Sequence, residues 1–205
     1  MNDILKDLDA LESRIQQPEF RRNKGLGNEI ANYVFQYQPK DELLIREKIP
    51  EIVSRIEKAA LGFRVVVFDL YETMIQLLRD EGNLDECFRM EEEDGFLDLQ
   101  TNVENYLSIT EGGEASPLLF HIRKNTLPNS VMFLTGIGKC YPFIRSHTIL
   151  DNLNLTRLNI PVVLFFPGSY NARQFVLFSP GAPIEPQNYY RAFPINPDSN
   201  KKAEN

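Results

Sequence analysis

Along the first seventeen residues Ile4, Leu5, Leu8, Leu11 and Ile15 recur at steps of three and four, the interval at which a helix returns a side chain to the same face. The pattern predicts an amphipathic N-terminal helix packed on the body of the protein. Residues 21–28 mix Arg21, Arg22 and Lys24 with Gly25 and Gly27, a helix-breaking composition that predicts a surface linker. Residues 30–37 are rich in Tyr, Val and Phe and end at Pro39, so a first strand is expected there. From Asp41 helical spacing returns through Ile45, Ile49, Ile52, Val53, Ile56 and Ala60. Pro50 lies inside that pattern and, having no amide donor, is expected to break the hydrogen-bond ladder or to begin a second helix as its first residue, with a kink there.

Three unbroken apolar runs, residues 65–68, 131–134 and 162–166, read as strands covered on both faces, the pattern of a parallel sheet. Residues 175–178 predict a fifth strand, joined to the fourth as an antiparallel hairpin at the edge. Asp69 followed by Glu72 is a capping-box signature for a helix with Tyr71, Met74, Ile75 and Leu78 inward. Asn83 with Glu86, and Thr148 with Asp151, repeat the signal for two further helices. Residues 84–109 read as helix interrupted near Gly95, with Phe96, Leu99, Val103 and Tyr106 on one face and Gly112 and Gly113 beyond its end. The fold class expected is therefore α/β. It is a three-layer sandwich with a mostly parallel central sheet of about five strands, an antiparallel edge strand near the C-terminus and an amphipathic N-terminal helix. The domain expected is one, over residues 1–195, with a disordered polar tail at 196–205.

Composition narrows the function classes. At 205 residues, 42 % hydrophobic and 25 % charged, the chain has ordinary globular proportions and room for one sizeable core. Its first residues lack the basic, apolar and small-residue sections of a secretory signal, and no apolar run approaches the roughly 20 residues that span a bilayer. A cytoplasmic protein without membrane contact is expected. Cys87 and Cys140 stand alone in different segments, which predicts reduced, buried thiols. The net charge of −7 opposes a phosphate backbone, so no direct nucleic-acid binding is expected and basic protein surfaces are favoured.

Candidate chemistry is sparse. Thr135-Gly136-Ile137-Gly138-Lys139-Cys140 follows a strand as a phosphate-binding loop would. However, Phe133 stands where the first glycine of that pattern belongs, Cys140 replaces the Mg²⁺-binding hydroxyl, and Pro142 prevents an immediate regular helix. A structural turn is expected. Asp69 closes a buried strand, where α/β sheets present ligands, and the helix cap accounts for it without a catalytic role. His121 and His147 stand apart with no metal-ligand spacing, no nucleophile elbow occurs, and Glu91-Glu92-Glu93-Asp94 lacks the alternation of a calcium loop and reads as a solvated helix face. Neither a catalytic constellation, nor a cofactor, nor a metal site is expected.

Interface anchors are easier to place. Residues 141–147 and 188–193 put Arg and aromatic side chains in loop-like surroundings, the residue types that carry binding energy. Phe143, Arg145, His147, Tyr189, Tyr190 and Arg191 are accordingly the expected partner-binding residues, gathered on or near one surface. The alternative is that Phe143, Tyr190 and Phe193 merely close the core beneath loops.

The stretch Leu-Thr-Gly-Ile-Gly-Lys-Cys-Tyr-Pro-Phe-Ile-Arg-Ser-His-Thr-Ile-Leu-Asp-Asn-Leu at 134–153, with Phe-Phe-Pro-Gly-Ser-Tyr at 165–170 and Asn-Tyr-Tyr-Arg-Ala-Phe at 188–193, resembles the BrxB family. That family is a small core component of the BREX bacteriophage-resistance systems. The likeness covers about a third of the chain. It implies a cytoplasmic accessory protein of a multi-subunit complex that also holds a DNA methyltransferase, an ATPase and PglZ, a member of the alkaline-phosphatase superfamily; it implies no catalytic residues. The function expected is that of a non-enzymatic scaffold binding other BREX proteins, PglZ foremost. The rival is a nucleotide-binding or hydrolytic enzyme using the loops at Asp69, 135–139 and 166–170.

Overall fold

A computed structural model describes residues 3–22, 32–109, 116–155, 160–170, 175–178 and 192–196. The chain runs α1 (Asp3–Ile15), α2 (Pro18–Arg21), β1 (Asn32–Tyr37), α3 (Glu42–Ala59), β2 (Arg64–Asp69), α4 (Leu70–Asp80), α5 (Leu84–Glu93), α6 (Phe96–Leu107) and α7 (Pro117–Asn125). It continues with β3 (Ser130–Thr135), α8 (Ile137–Cys140), α9 (Ser146–Leu155), β4 (Val162–Tyr170), β5 (Phe175–Leu177) and β6 (Ala192–Pro194).

The sheet order is β2-β3-β4-β1-β6, all neighbours parallel, with β5 antiparallel to the far end of β4. From β1 the chain crosses to the β2 edge, then steps back through β3 to β4. A right-handed crossover puts its helix on one face, so reversing direction moves the following helices to the other face. The core divides accordingly. Strand residues alternate, with Phe35, Phe133 and Phe165 facing α1, α2 and α3, and Val34, Leu134 and Leu164 facing α4 to α9. On the first face the three phenylalanine rings form a row across β1, β4 and β3 at centroid distances of 5.2 and 5.0 Å. On the same side, Arg55 of α3 grips Glu12 of α1 with both Nε and Nη2.

Several expectations are met: the layers, the mostly parallel sheet, the hairpin of β4 with β5 and the N-terminal helix. Others are corrected. Pro50 neither breaks nor ends α3. It is exposed, while Ile45, Ile49, Ile52 and Ile56 bury one stripe against the sheet, and that packing outweighs the lost hydrogen bond. Asn83 precedes α5 without a side-chain cap, and α9 starts at Ser146, ahead of Thr148. Arg21 ends a short helix, which leaves the rest of the expected linker, from residue 23, outside the described residues.

A sixth strand, β6, falls partly within the segment read as loop and pairs with β1. Asn196, placed at the start of the expected tail, is buried. Its Oδ1 accepts from the Gln36 amide at 2.9 Å and its Nδ2 donates to the Gln36 carbonyl at 3.0 Å, extending the ladder by a side chain. α7 was not legible as a helix in the pattern, yet its start is well specified. Pro117 occupies the first turn, and the buried Ser116 hydroxyl accepts from the Leu119 amide and donates to the Leu107 carbonyl.

Candidate functional site

The register pairs Asp69 with Thr135 at the carboxyl ends of β2 and β3, the side of an α/β sheet where ligands bind. Asp69 caps α4: its Oδ1 accepts from the amides of Tyr71 and Glu72, each at 3.1 Å. The opposite oxygen, Oδ2, accepts from Lys139 Nζ at 2.7 Å, and the same ammonium donates to Glu72 Oε1 at 3.1 Å. It also sits 5.1 Å from the centre of the Tyr71 ring. The cap on Asp69 is thus as expected. Glu72, however, turns to Lys139 and not back to the cap, and a partner seventy residues away completes a cluster that no local spacing announces.

Gly136 makes the approach possible. Its backbone has φ +75°, and a Cβ there would lie 2.4 Å from Asp69 Oδ1, inside any allowed contact. Thr135 to Cys140 then close into the single turn of α8, in which the Lys139 and Cys140 amides donate to the Gly136 carbonyl. Gly138 lies against Pro167 and Phe178, where a Cβ would be 2.8 and 3.0 Å from their rings. The segment is a packed turn, as its mismatch to a phosphate-binding loop predicts.

Electrostatics agree with a structural cluster. Burial works to lower the Lys139 pKa, but the hydrogen bonds and charges of Asp69 and Glu72 outweigh it and hold the ammonium above its ordinary value. Burial pushes the Cys140 thiol up to about 12, so this thiol is protonated at neutral pH and a poor nucleophile. Cys87 is likewise free and raised by burial. His121 sits edge-on to Phe68 at 6.2 Å, and no group of three or more His, Cys, Asp or Glu among the described residues could hold a metal ion. A depression of about 770 Å³ lies at the opposite end of the sheet beside Arg64 and Asn129, away from the cluster.

The chain leaves α8 through Tyr141 to Phe143 and Arg145. Phe143 is half-buried, edge-to-face with Phe96 of α6 at 5.7 Å, and borders an apolar groove between α4, α5 and α6. Arg145 is exposed and lines the next hollow, shared with Glu104 and Thr148. The backbone of His147 belongs to α9, and its side chain is not described. Tyr189, Tyr190 and Arg191 lie outside the described residues. Phe193 leans towards Tyr33 at 6.4 Å, on the α1–α3 face, whereas Phe143 covers the other. Phe88 and Phe96, 59 % and 46 % exposed, border the same groove as Phe143. Helical periodicity assigns Phe96 to the core, and the one readable signal for Phe88 is an aromatic set among acids.

A parallel sheet wrapped by helices on both faces, with its carboxyl-edge charges spent on one another, defines a doubly wound three-layer α/β protein. The chain belongs to the BrxB family, since the family model for BREX protein BrxB matches residues 66–195. Two curated relatives carry that same name. One, from Bacillus cereus (strain H3081.97), is 40 % identical over 95 % of this chain and 98 % of its own length. The other, from Escherichia coli O9:H4 (strain HS), is 27 % identical over 96 % and 93 %. No solved structure matches significantly. No helix among the described residues is long and apolar enough to cross a membrane.

Proposed function

We propose that the protein serves BREX phage defence as a non-enzymatic cytoplasmic scaffold that binds other BREX proteins, PglZ foremost. Membership in the family supports the setting. The observation that carries the non-enzymatic part is the engagement of Lys139 by Asp69 and Glu72 at the sheet edge where a doubly wound fold would hold a ligand. Both oxygens of Asp69 already accept hydrogen bonds, and the ammonium is neutralised by two carboxylates, so the cluster offers no uncompensated positive charge for a phosphate. Residues 141–147, which lead from this cluster to the helical surface, are the first candidates for contact with a subunit.

Tagged protein is to be co-purified with each BREX subunit in turn, PglZ first, while ATP, GTP and phosphate-ester turnover are measured on the native chain and on Lys139→Ala. Capture of a subunit without turnover is the expected result. Turnover that disappears in Lys139→Ala would replace the scaffold with an enzyme, and failure to capture any subunit would remove the scaffold.

A further inference from the structure

The helical layer over β2 and β3 has an open seam. Tyr71 and Met74 of α4, Cys87 and Phe88 of α5, Phe96 of α6, and Phe143 enclose an apolar groove of about 210 Å³. Phe88 and Phe96 stand half in solvent at its rim, and Leu97, 76 % exposed, follows on the same helix. Exposed aromatic side chains beside a preformed apolar cleft are the make-up of a docking surface.

The charge around the groove identifies what fits it. Residues 84–107 carry eight acidic side chains and one basic, Arg89, which pairs with Glu86. That is a net −7, equal to the net charge of the whole chain, so acids and bases balance everywhere else. Glu91 lines the groove, and Glu92, Glu93, Asp94 and Asp98 are exposed on the same two helices and the turn between them. Such a field repels nucleic acid and anionic lipid, and a second copy would bring two patches of −7 together. It attracts a cation that also presents an apolar stripe. A seam between helices accepts another helix by ridges-into-grooves packing, with anchors at i, i+3, i+4 and i+7.

We infer that the α4–α5–α6 groove binds a basic amphipathic helix of a partner protein, its apolar stripe on Phe88, Phe96 and Phe143 and its Lys and Arg side chains against the acids of α5 and α6. This names the docking surface and partner chemistry of the proposed scaffold and rests on that reading. The probe is a fluorescent peptide of roughly 18 residues, about five turns, with Leu at the anchor spacing and Lys elsewhere; its counterpart carries Glu for Lys. Binding to the full chain is followed by anisotropy, with amide exchange locating the contact.

The Leu/Lys peptide is expected to bind and protect residues 84–103. Phe88→Ser/Phe96→Ser should weaken it at least about tenfold, which is about 1.4 kcal/mol, with an unchanged melting temperature because both rings are already half exposed. Glu91→Lys/Glu92→Lys/Glu93→Lys should weaken it similarly and abolish its salt dependence. Equal binding of the Leu/Glu peptide, indifference to both variants, or a native dimer dissolved by Phe88→Ser/Phe96→Ser would overturn the inference. Co-purification with BREX subunits separates the two readings. A subunit captured equally by native and Phe88→Ser/Phe96→Ser chains sinks the groove and spares the scaffold. Peptide binding that meets every criterion, with no subunit captured, does the reverse.

Discussion

Asp69 holds two kinds of bond at once, and substitutions separate them. Asp69→Ala loses the cap and the ion pair and should cost about 2 kcal/mol, near the upper end for a lost N-cap, or roughly 4–8 °C in melting temperature at this size. Asp69→Asn keeps an acceptor for the Tyr71 and Glu72 amides and should recover about half; equal losses in thermal melts would show that the charge, not the cap, stabilises this corner. Gly136→Ala faces a worse conflict. Its left-handed backbone and a Cβ 2.4 Å from a carboxylate held by three donors leave neither side room to yield, so a loss of about 2–4 kcal/mol is expected. The Lys139 pKa lies above 10.5 in the folded chain. The stability contributed by its charge is therefore complete below pH 10.5 and lost as pH rises through the folded value. The difference in melting temperature between the native chain and Lys139→Met should stay constant from neutral pH to that point and narrow above it.

At the scale of elements, α3 shows tertiary packing overriding a local rule. Pro50 deprives the Arg46 carbonyl of its usual donor and costs up to about 3 kcal/mol within a helix, yet four isoleucines on one face keep the helix continuous. Pro50→Ala should therefore stabilise the protein by about 1–2 kcal/mol, after allowing for the looser unfolded chain, and denaturant midpoints would register it. A destabilised variant would mean that the proline relieves a local clash. α5 and α6 present the converse. Eight acids stand there against the single base Arg89, and Phe88 and Phe96 keep about half their surface in solvent, which is why the docking surface is assigned to them.

Across the whole molecule, the last described strand seals the first. β6 covers the free edge of β1, the Tyr170 hydroxyl donates to the Ala192 carbonyl, and Asn196 ties Gln36 of β1 to Asp7 of α1. Ending the chain before Ala192 should strip β1 of a neighbour and leave an open edge that invites association. Light scattering should show concentration-dependent aggregates, and a truncated chain that stays monomeric with a native melting temperature would contradict this role. Asn196→Ala tests the link more gently, with an expected loss of about 1–2 kcal/mol from the two hydrogen bonds that Asn196 makes to the Gln36 backbone.

The sequence by itself determined what depends on near neighbours. Apolar runs at 131–134 and 162–166 marked buried parallel strands, while the run at 65–68 marked a parallel strand that lies at the sheet edge with Val67 38 % exposed; the three- and four-residue steps of α1 and α3 marked their buried stripes, and Asp69 announced its own cap. Each of these signals lies within one turn or one strand, and the distinctive residues from 134 to 153 pointed to the family for the same reason. Only the tertiary structure decided what joins distant residues. It brought Lys139 to Asp69 and Glu72, pressed Gly136 onto that carboxylate, let the core isoleucines overrule Pro50 and spliced β6 to β1. It also turned Phe96 outward beside Phe88 and Phe143. Spacing along a chain specifies which face of an element a residue occupies, whereas the element packed against that face, or the lack of one, is chosen by the burial of the whole core.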